Sequence, residues 1–259
     1  MNQPPAIIVD GFERKLGCLR RTTHVGDGSF RVFGDPGTPG LIGRSLWPAL
    51  SQVPLDPFVW HVINQSNQGS CMPSAGAGAV MICRENAGLS RVVLSQASVY
   101  GQGNGGSDSG MGIDAGLKLI QDVGFCPVDL IDQYDWQGFR RGTWPAGWKA
   151  EAAKYRALEA WDCPSYDHAV SAVLRGFPVV LGVFWEGGGG HAIVMVGWSD
   201  GNPKILNSWG NTWGANGIGY LTESQCKKGI DYFGAWALRV PTDPTDDSDI
   251  PIPGRENHD

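Results

Sequence analysis

Long hydrophobic runs, a secretory signal and paired cysteines are all missing from this 259-residue sequence. No stretch reaches the roughly 18 apolar residues of a membrane-spanning helix. Residues 1–10 are polar and proline-rich rather than basic and then apolar, so we expect no export by the general secretory route. The six cysteines form no Cys-x-x-Cys pair, which excludes the usual structural zinc sites and predicts free thiols in a reducing, cytoplasmic compartment.

Basic charge is also scarce, because 20 Lys and Arg stand against 26 Asp and Glu and give a formal net charge of −6. Much of the deficit lies in residues 241–259, where six acidic residues face Arg255 alone. Binding to nucleic acid needs a basic face or stripe, which a nearly neutral body does not offer. We therefore expect no nucleic-acid partner.

Composition divides the chain into three parts. Residues 1–57 are rich in Gly and Pro and lack the helical periodicity of a helical propeptide, so we expect an arm that packs on the body or contacts a protein partner. Residues 58–240 carry the patterns of a folded domain. Residues 241–259 are acidic and proline-rich, which is typical of a disordered tail or a segment that docks on a partner or assembly.

Within the domain, helical patterns come first and strand patterns second, apart from one predicted strand at 58–63. The predicted helices are 71–86, 113–123, 146–158 and 165–175. The later predicted strands are 178–185, 191–198, 204–209, 217–221 and 235–240. This segregation favours an α+β fold with a helical lobe over about 64–128 and a sheet lobe over about 129–240.

Three residues combine into a candidate nucleophilic site. Cys71 stands at the predicted start of a helix, where free amide groups and the helix dipole favour a thiolate. His191 follows four glycines, and Asn207 lies beyond a turn at 200–202, so a hairpin would bring both side chains to one end of neighbouring strands. A thiol, a base and a group that orients the base are the components of nucleophilic catalysis.

The segments around these residues resemble those of papain-like cysteine peptidases. The resemblance covers about residues 58–240 and rests on the segments 64–71, 191–198 and 207–214, in that order. It implies a two-lobe fold in which a helical lobe precedes an antiparallel sheet or barrel lobe, with the active-site cleft between them. It also identifies the chain as a signal-less member of the bacterial or phage type.

By this resemblance, Cys71 is the nucleophile, His191 is the base that later protonates the leaving amine, and Asn207 orients His191. Gln65 would donate its side-chain amide to the oxyanion beside the Cys71 N–H. The resemblance implies a polypeptide substrate and neither a metal nor a cofactor. A tryptophan would shield the His191–Asn207 bond, and residues 104–106 would correspond to the family's Asn-Gly-Gly loop. The residues expected to contact substrate are Gly69, Ser70, Asn104, Gly105, Gly106 and Trp209.

The sequence departs from the family pattern at the nucleophile. The signature Cys-Gly-[Ser/Ala]-Cys-aromatic is Gln68-Gly69-Ser70-Cys71-Met72 here, so the first cysteine and the aromatic residue are both replaced. The usual disulfide partner of that first cysteine is Gly103, and the joint loss agrees with a reducing compartment. Cys71 and His191 lie 120 positions apart, below the usual span of about 130 to 150, which predicts shortened loops.

Two further functions fit the same sequence. A signal-less peptidase with a non-catalytic arm could hydrolyse cell-wall peptides for a phage or bacterium, with a virion-associated location. A structural or assembly protein could instead retain the scaffold and use the arm and tail as contacts, which would agree with the replaced aromatic at Met72. Residues 101–106 match Gly-x-Gly-x-x-Gly, but no βαβ unit surrounds them, so we expect no dinucleotide cofactor.

Overall fold

Strands occur at the amino terminus as well as in the second half of the chain. The computed structural model describes residues 4–52 and 54–240. The strands in these residues are β1 Ala6–Val9, β2 Phe12–Lys15, β3 Cys18–Leu19, β4 Met111–Gly112, β5 Glu159–Asp162, β6 Val179–Phe184, β7 Gly190–Ser199, β8 Asn202–Leu206, β9 Ile218–Tyr220 and β10 Ala235–Arg239. The helices are α1 Trp47–Leu50, α2 Cys71–Asn86, α3 Gln96–Gly103, α4 Ile113–Asp122, α5 Gly138–Arg141, α6 Trp148–Ala152, α7 Tyr166–Leu174 and α8 Glu223–Phe233.

A six-stranded antiparallel sheet forms the centre of the molecule, in the order β5-β10-β6-β7-β8-β9. β7 pairs with β6 from Met195 opposite Val179 to Gly190 opposite Phe184. On its other edge β7 pairs with β8, which ends at Leu206, immediately before Asn207. The hairpin expected from the turn at 200–202 therefore forms, and the α+β class is confirmed.

Small residues allow α2 to pack between the sheet and the other helices. All residues of α2 from Cys71 to Cys83 are buried. A side chain at Gly76 would collide with Ile120 of α4, and one at Gly78 would touch Leu206 of β8. The absence of large side chains thus lets one helix lie close to both neighbours, which places its first residue at the junction of the helical and sheet parts.

Several segments differ from the sequence-based expectations, including α3 and the strands β1 and β2, which were not predicted. The predicted strand at 58–63 is an irregular segment that follows a 3₁₀ turn at Asp56–Phe58. The predicted helix at 146–158 is only Trp148–Ala152 plus a 3₁₀ turn, because the chain must straighten to enter β5. The sequence did not predict α8, although Thr222 and Gln225 form a capping box at its start.

Residues 20–52 wrap around the sheet and share its core, and we call them the wrapping segment. Arg21 forms a largely buried ion pair with Asp162 of β5. The aromatic residues that the wrapping segment buries in the main core are Phe30, Phe33 and Trp47. The proposed boundary at residue 57 and the lobe division stay predictions. The predicted tail at 241–259 lies outside the described residues. In the part of the chain that the structure describes, no helix has the length and apolar character needed to cross a bilayer.

Candidate active site

The fold brings His191 and Asn207 together on neighbouring strands. His191 is the second residue of β7, and its Nε2 lies 2.7 Å from Asn207 Oδ1. Asn207 Oδ1 also accepts from the backbone N–H of Ser208, which fixes this atom as the amide oxygen. His191 Nε2 must therefore carry a proton, and Nδ1 of the neutral ring is left as an acceptor. Among the described residues, Nδ1 has no hydrogen-bond partner.

Cys71 lies against the strand that carries His191. It is the first residue of α2 and is fully buried. The backbone N–H of Ala192, the residue after His191, is placed to donate to the Cys71 sulfur. The backbone N–H groups of Cys71 and Met72, at the start of α2, are also placed to donate to this sulfur. Negative charge on this sulfur would therefore be stabilised by amide groups of both the helix and the strand.

Gln65 is held at both ends of its side-chain amide. Its Oε1 accepts a 2.6 Å hydrogen bond from Ser208 Oγ, which leaves the NH₂ group to point away from Ser208. That group donates to the Gln68 carbonyl at 2.8 Å and to the Lys15 carbonyl at 3.1 Å. A buried, preoriented amide that already binds a peptide carbonyl has the chemistry of an oxyanion donor.

Tryptophans surround the His191 ring. The centroid of Trp209 lies 4.7 Å from that of His191, and the centroid of Trp185 lies 5.1 Å away. Trp213 contacts both tryptophans. These rings cover the hydrogen bond between His191 and Asn207. Trp185 was not identified from the sequence, although it ends a predicted strand and lies two positions before the four glycines that precede His191.

Burial controls the protonation of the two reactive groups. It raises the pKa of the Cys71 thiol to about 11, against the opposing effect of the surrounding backbone N–H groups. It lowers the pKa of His191 to about 4, and the hydrogen bond to Asn207 opposes this only in part. Both groups are therefore neutral at pH 7 in this structure, and a neutral thiol is a weak nucleophile.

Residues 14–19, which we call the cleft segment, run directly across these groups. Gly17 bridges to Gly190, beside His191, and its carbonyl accepts a 2.8 Å hydrogen bond from the N–H of Met111. The N–H of Gly17 is placed to donate to the sulfur of Cys71. A Cβ atom at Gly17 would overlap the carbonyl of Gly69, so only glycine fits here.

Side chains next to Gly17 fasten the cleft segment to both sides of the site. Lys15 forms an ion pair with Asp108. Arg14 donates to Asn64 Oδ1 at 2.8 Å. Asp108 also accepts hydrogen bonds from the N–H of Gly69 and the hydroxyl of Tyr100, so it links the cleft segment to the loop before Cys71. Asp108 was missed because no motif marks it.

The cleft segment lies within the arm predicted over residues 1–57, and it packs across the candidate site. The lack of helical periodicity in residues 1–57 argued against a long helical propeptide over the site. An extended chain of a few residues lies there instead, with its backbone bonded to Gly190 and Met111 on the two sides of Cys71. An extended segment of this kind leaves no helical signal in the sequence.

The predicted substrate-binding residues fall into two groups. Gly69 and Ser70 directly precede Cys71, and the Gly69 carbonyl lies against Gly17. Residues 104–106 lie instead at the carboxyl end of α3, where Gly106 packs on Arg140. The backbone beside the cleft segment belongs to Gly110 and to Met111 in β4, which pairs with β3.

The replaced signature residue Met72 is part of the core. It is fully buried, and a side chain on Gly116 of α4 would overlap its sulfur. Methionine therefore fills the space between α2 and α4 in place of an aromatic ring. The six cysteines are all buried and free.

Comparison with solved structures shows which fold this arrangement belongs to. Xylellain, a cysteine protease from Xylella fastidiosa, superposes on 93% of this chain and 98% of its own, with a TM-score of 0.68 and 20% identity. The fold is papain-like. The same papain-like fold matches digestive procathepsin L 3 of Tenebrio molitor larval midgut, at a TM-score of 0.64 and 16% identity over 87% of this chain and 76% of the other. The resemblance seen in the sequence is thus confirmed in the structure.

Sequence comparison gives a further relative. An uncharacterized peptidase C1-like protein of Acanthamoeba polyphaga mimivirus is 26% identical over 227 residues, which cover 70% of each chain. A cysteine protease of Carica candamarcensis has the papain-like fold at a TM-score of 0.58, with 15% identity over 73% of this chain and 98% of its own. No protein-family model matches the chain.

Proposed function

We propose that this chain is a cysteine peptidase in which Cys71, His191 and Asn207 act together and Gln65 stabilises the oxyanion. The observation that carries the proposal is the placement of His191. Its Nε2 is hydrogen-bonded to Asn207, whereas its Nδ1 has no hydrogen-bond partner among the described residues. His191 lies on β7, the strand whose Ala192 N–H is placed to donate to the Cys71 sulfur. The papain-like fold and the peptidase C1-like relative support the same function.

In the proposed reaction, His191 Nδ1 takes the thiol proton while Cys71 Sγ attacks the scissile carbonyl carbon. The carbonyl oxygen becomes an oxyanion that accepts from Gln65 Nε2 and the Cys71 N–H. The C–N bond breaks as His191 returns the proton to the amine nitrogen, which leaves a thioester on Cys71. Water then gives a proton to His191 and adds to the thioester, and the C–S bond breaks to release the acid and restore the thiol.

Under the same proposal, the structure is an inactive form in which the cleft segment closes the active site. Lys15 supplies the carbonyl that occupies Gln65 Nε2, and Gly17 places an N–H where a substrate would have to place a carbonyl carbon. The sulfur therefore faces a donor with no electrophilic atom in line, so we expect the cleft segment to block the site without being cut. Its departure would expose the thiol and the imidazole to water and favour the thiolate–imidazolium pair.

Replacement of Cys71 tests the proposed function. We expect both the full-length chain and its Gly17→Ala variant to cleave reduced, unfolded casein, and Cys71→Ala in either to reduce turnover by at least about 10³-fold. Cys83→Ala, at the other end of α2, is the matched control and should retain cleavage. Equal cleavage with and without the Cys71 thiol would contradict the proposal. Release of amines from peptidoglycan under the same conditions measures the cell-wall alternative.

A further inference from the structure

An open pocket of about 400 Å³ is lined by residues of α5, α6 and the loop between them. In its wall Trp144 contacts both Phe139 and Trp148, with ring centroids 5.3 and 5.0 Å away. The rest of the wall consists of glycine, alanine and proline residues and of Lys149, whose Nζ lies 5.5 Å from the centroid of the Trp148 ring. We call this space the aromatic pocket.

The aromatic pocket has a fixed inner ring and more exposed outer rings. Trp144 is 9% exposed, and its Nε1 donates to the Asp135 carbonyl at 2.9 Å. Trp144 belongs to a small second core that includes Ile131. Phe139 is 36% exposed, and Trp148 is only partly buried. An apolar surface that is held rigid from behind can receive a peptide without rearrangement, which favours binding.

The segment that forms the aromatic pocket is basic. Residues 133–156 contain five basic residues and only two acidic ones. Asp135 already pairs with Arg141. Glu151 already pairs with Lys154. The remaining basic residues are exposed and form no ion pair within the part of the chain that the structure describes; they are Arg140, Lys149 and Arg156.

Residues 241–259 have the opposite charge and a composition that suits aromatic rings. They contain six acidic residues and one basic residue. Four of the acidic residues are aspartates within residues 243–249, and the sequence Ile-Pro-Ile-Pro follows them at 250–253. Aromatic-lined grooves bind proline-containing segments because such segments lose little conformational entropy on binding. The Ile-Pro stretch therefore fits the rings, and the aspartates fit the basic residues beside them.

The described chain ends within reach of the aromatic pocket. The carbonyl of Arg239, in the last strand, accepts from the N–H of Leu158. From Trp148 to Leu158 the chain is helical up to Tyr155, so these two ends lie at most about 22 Å apart. Residues 241–250 span up to about 33 Å when extended. The Ile-Pro stretch can therefore reach the aromatic pocket of its own chain.

A second pocket shows why charge selects the aromatic one. It has a volume of about 440 Å³ and shares Ala146 and Gly147 with the aromatic pocket. Its other lining residues are aliphatic apart from Asp129 and Glu151. An acidic segment is repelled by these carboxylates and attracted by the cations beside the aromatic rings.

We propose that the aromatic pocket binds the Ile-Pro-Ile-Pro stretch at residues 250–253 of the same chain, with the aspartates at 243–249 beside Arg140 and Lys149. Apolar contact with the rings holds the stretch, and charge orients it. The proposal does not depend on the proposed peptidase function, because it concerns binding and not turnover. Failure of either one leaves the other standing.

Cross-linking in the full-length chain tests the contact between Lys149 and the aspartates. A carbodiimide activates a carboxylate, and the Lys149 amine then displaces the activating group as a urea and forms an amide bond. Peptide mass spectrometry should locate this bond between Lys149 and residues 243–249. Phe139→Ala should lower its yield about fivefold or more, because the outer ring is lost. Phe12→Ala, the matched control, removes another exposed ring beside an arginine and should change the yield less than about twofold. Unchanged yield in Phe139→Ala would overturn the proposal.

Isotope mixing identifies which chain supplies the bound segment. Equal amounts of ¹⁵N-labelled and unlabelled full-length chain are combined before cross-linking, and each cross-linked peptide pair should carry one isotope only. Pairs that combine both isotopes at the statistical frequency would show binding to a second copy and would contradict docking within one chain. Cross-links from residues 243–249 to other lysines, as frequent as those to Lys149, would overturn the assignment of the pocket.

Relaxation of backbone amides tests the apolar part of the contact. In the full-length chain the amides of Ile250 and Ile252 should have order parameters above about 0.6, and in Phe139→Ala these should fall below that value. Ile250→Ser together with Ile252→Ser should weaken cross-linking as Phe139→Ala does. Thr242→Ser with Thr245→Ser, the matched control, should not. Order parameters below about 0.6 at both isoleucines in the parent would overturn the proposal.

Phe139 is the most exposed of the three rings, so its replacement is the mildest way to change the aromatic pocket. Circular dichroism, the midpoint of thermal unfolding and the rate at which a thiol-directed epoxide labels Cys71 establish that each variant keeps the fold of the parent. Phe139→Leu retains part of the apolar surface and should give an intermediate cross-linking yield. A yield in Phe139→Leu below that in Phe139→Ala would contradict docking through apolar contact.

Discussion

The cleft segment and the wrapping segment are adjacent in sequence but attached to the molecule in different ways. The wrapping segment buries aromatic rings, such as Phe33, which contacts Trp161 and Phe177. The cleft segment buries the smaller side chains of Leu16 and Cys18, and it is also held by its backbone at Gly17 and at the Lys15 carbonyl and by the ion pair of Lys15. The burial of aromatic rings makes the wrapping segment a part of the core. The cleft segment depends more on hydrogen bonds that water or a substrate can replace, so we expect it to be displaced more easily.

This difference assigns stability to one segment and control of the site to the other. Loss of the wrapping segment would open the sheet core beside β5. Loss of the cleft segment would uncover Cys71 and Gln65 and leave that core intact. Variants that affect only one of these properties can therefore separate the two roles.

The largest expected effect is on stability. Phe33 is fully buried, so Phe33→Ala should lower the free energy of unfolding by about 3–5 kcal/mol, as measured in denaturant, without activating the site. Phe12 on the hairpin before the cleft segment is 60% exposed, and Phe12→Ala should cost less than about 1 kcal/mol. Similar losses for the two variants would remove the distinction between the segments.

Among variants of the cleft segment, Gly17→Ala should produce the largest change in activity. The new methyl group would collide with the Gly69 carbonyl, so the cleft segment must leave its position and casein cleavage should rise about 10- to 100-fold. The matched control is Gly43→Ala in the wrapping segment, where φ is −63° and a Cβ atom has room. Activation by both variants, or by neither, would show that the backbone fit at Gly17 does not hold the site closed.

Alkaline pH should favour release of the cleft segment. In the closed form, Cys71 and His191 together hold one proton, which lies on the thiol because burial raises the thiol pKa to about 11. An open thiolate–imidazolium pair also holds one proton, so opening is proton-neutral near pH 7. The open pair loses that proton near the ordinary thiol range, about pH 8.5, while the closed form keeps it until about pH 11. The closed form is therefore favoured at neutral pH, and it loses stability relative to the open form as the pH rises from about 8.5 to about 11.

The ratio of Cys71 labelling rates in the parent and in Gly17→Ala measures this effect. It should be constant near neutral pH and rise above about pH 8.5, because only the parent has a closed form to lose. The unfolding midpoint, followed over the same range, identifies any general loss of structure. A ratio that stays flat to pH 10 would contradict the coupling between thiol protonation and closure.

The smallest expected effect belongs to the ion pair between Lys15 and Asp108. Both side chains are mostly buried, so Lys15→Met should weaken closure and raise casein cleavage about 3- to 5-fold. Lys154→Met, which removes an exposed pair with Glu151, should leave cleavage unchanged. If Lys15→Met lowers cleavage, Lys15 supports the site rather than its closure.

Residues with local sequence signals were predicted better than residues whose contacts are long-range. The glycines before His191, the turn before Asn207 and the small residues after Cys71 each fix a local structure, and together they predict where these side chains meet. Asp108 has no such signal, because its partners Lys15 and Gly69 are distant in sequence. The cleft segment binds in part through backbone groups, which every sequence has, and the contacts of its side chains are also with residues distant in sequence.

The tryptophans around His191 make the fluorescence of the protein sensitive to the protonation of His191. An imidazolium ring in contact with an excited indole accepts an electron and dims its emission, whereas a neutral imidazole does so much less. Trp185 and Trp209 both lie within ring contact of His191, which is neutral while the cleft segment is in place. Protonation of His191 on release of the cleft segment would therefore quench the fluorescence of Trp185 and Trp209. The release can then be followed in real time by the intrinsic fluorescence of the protein, without an attached dye.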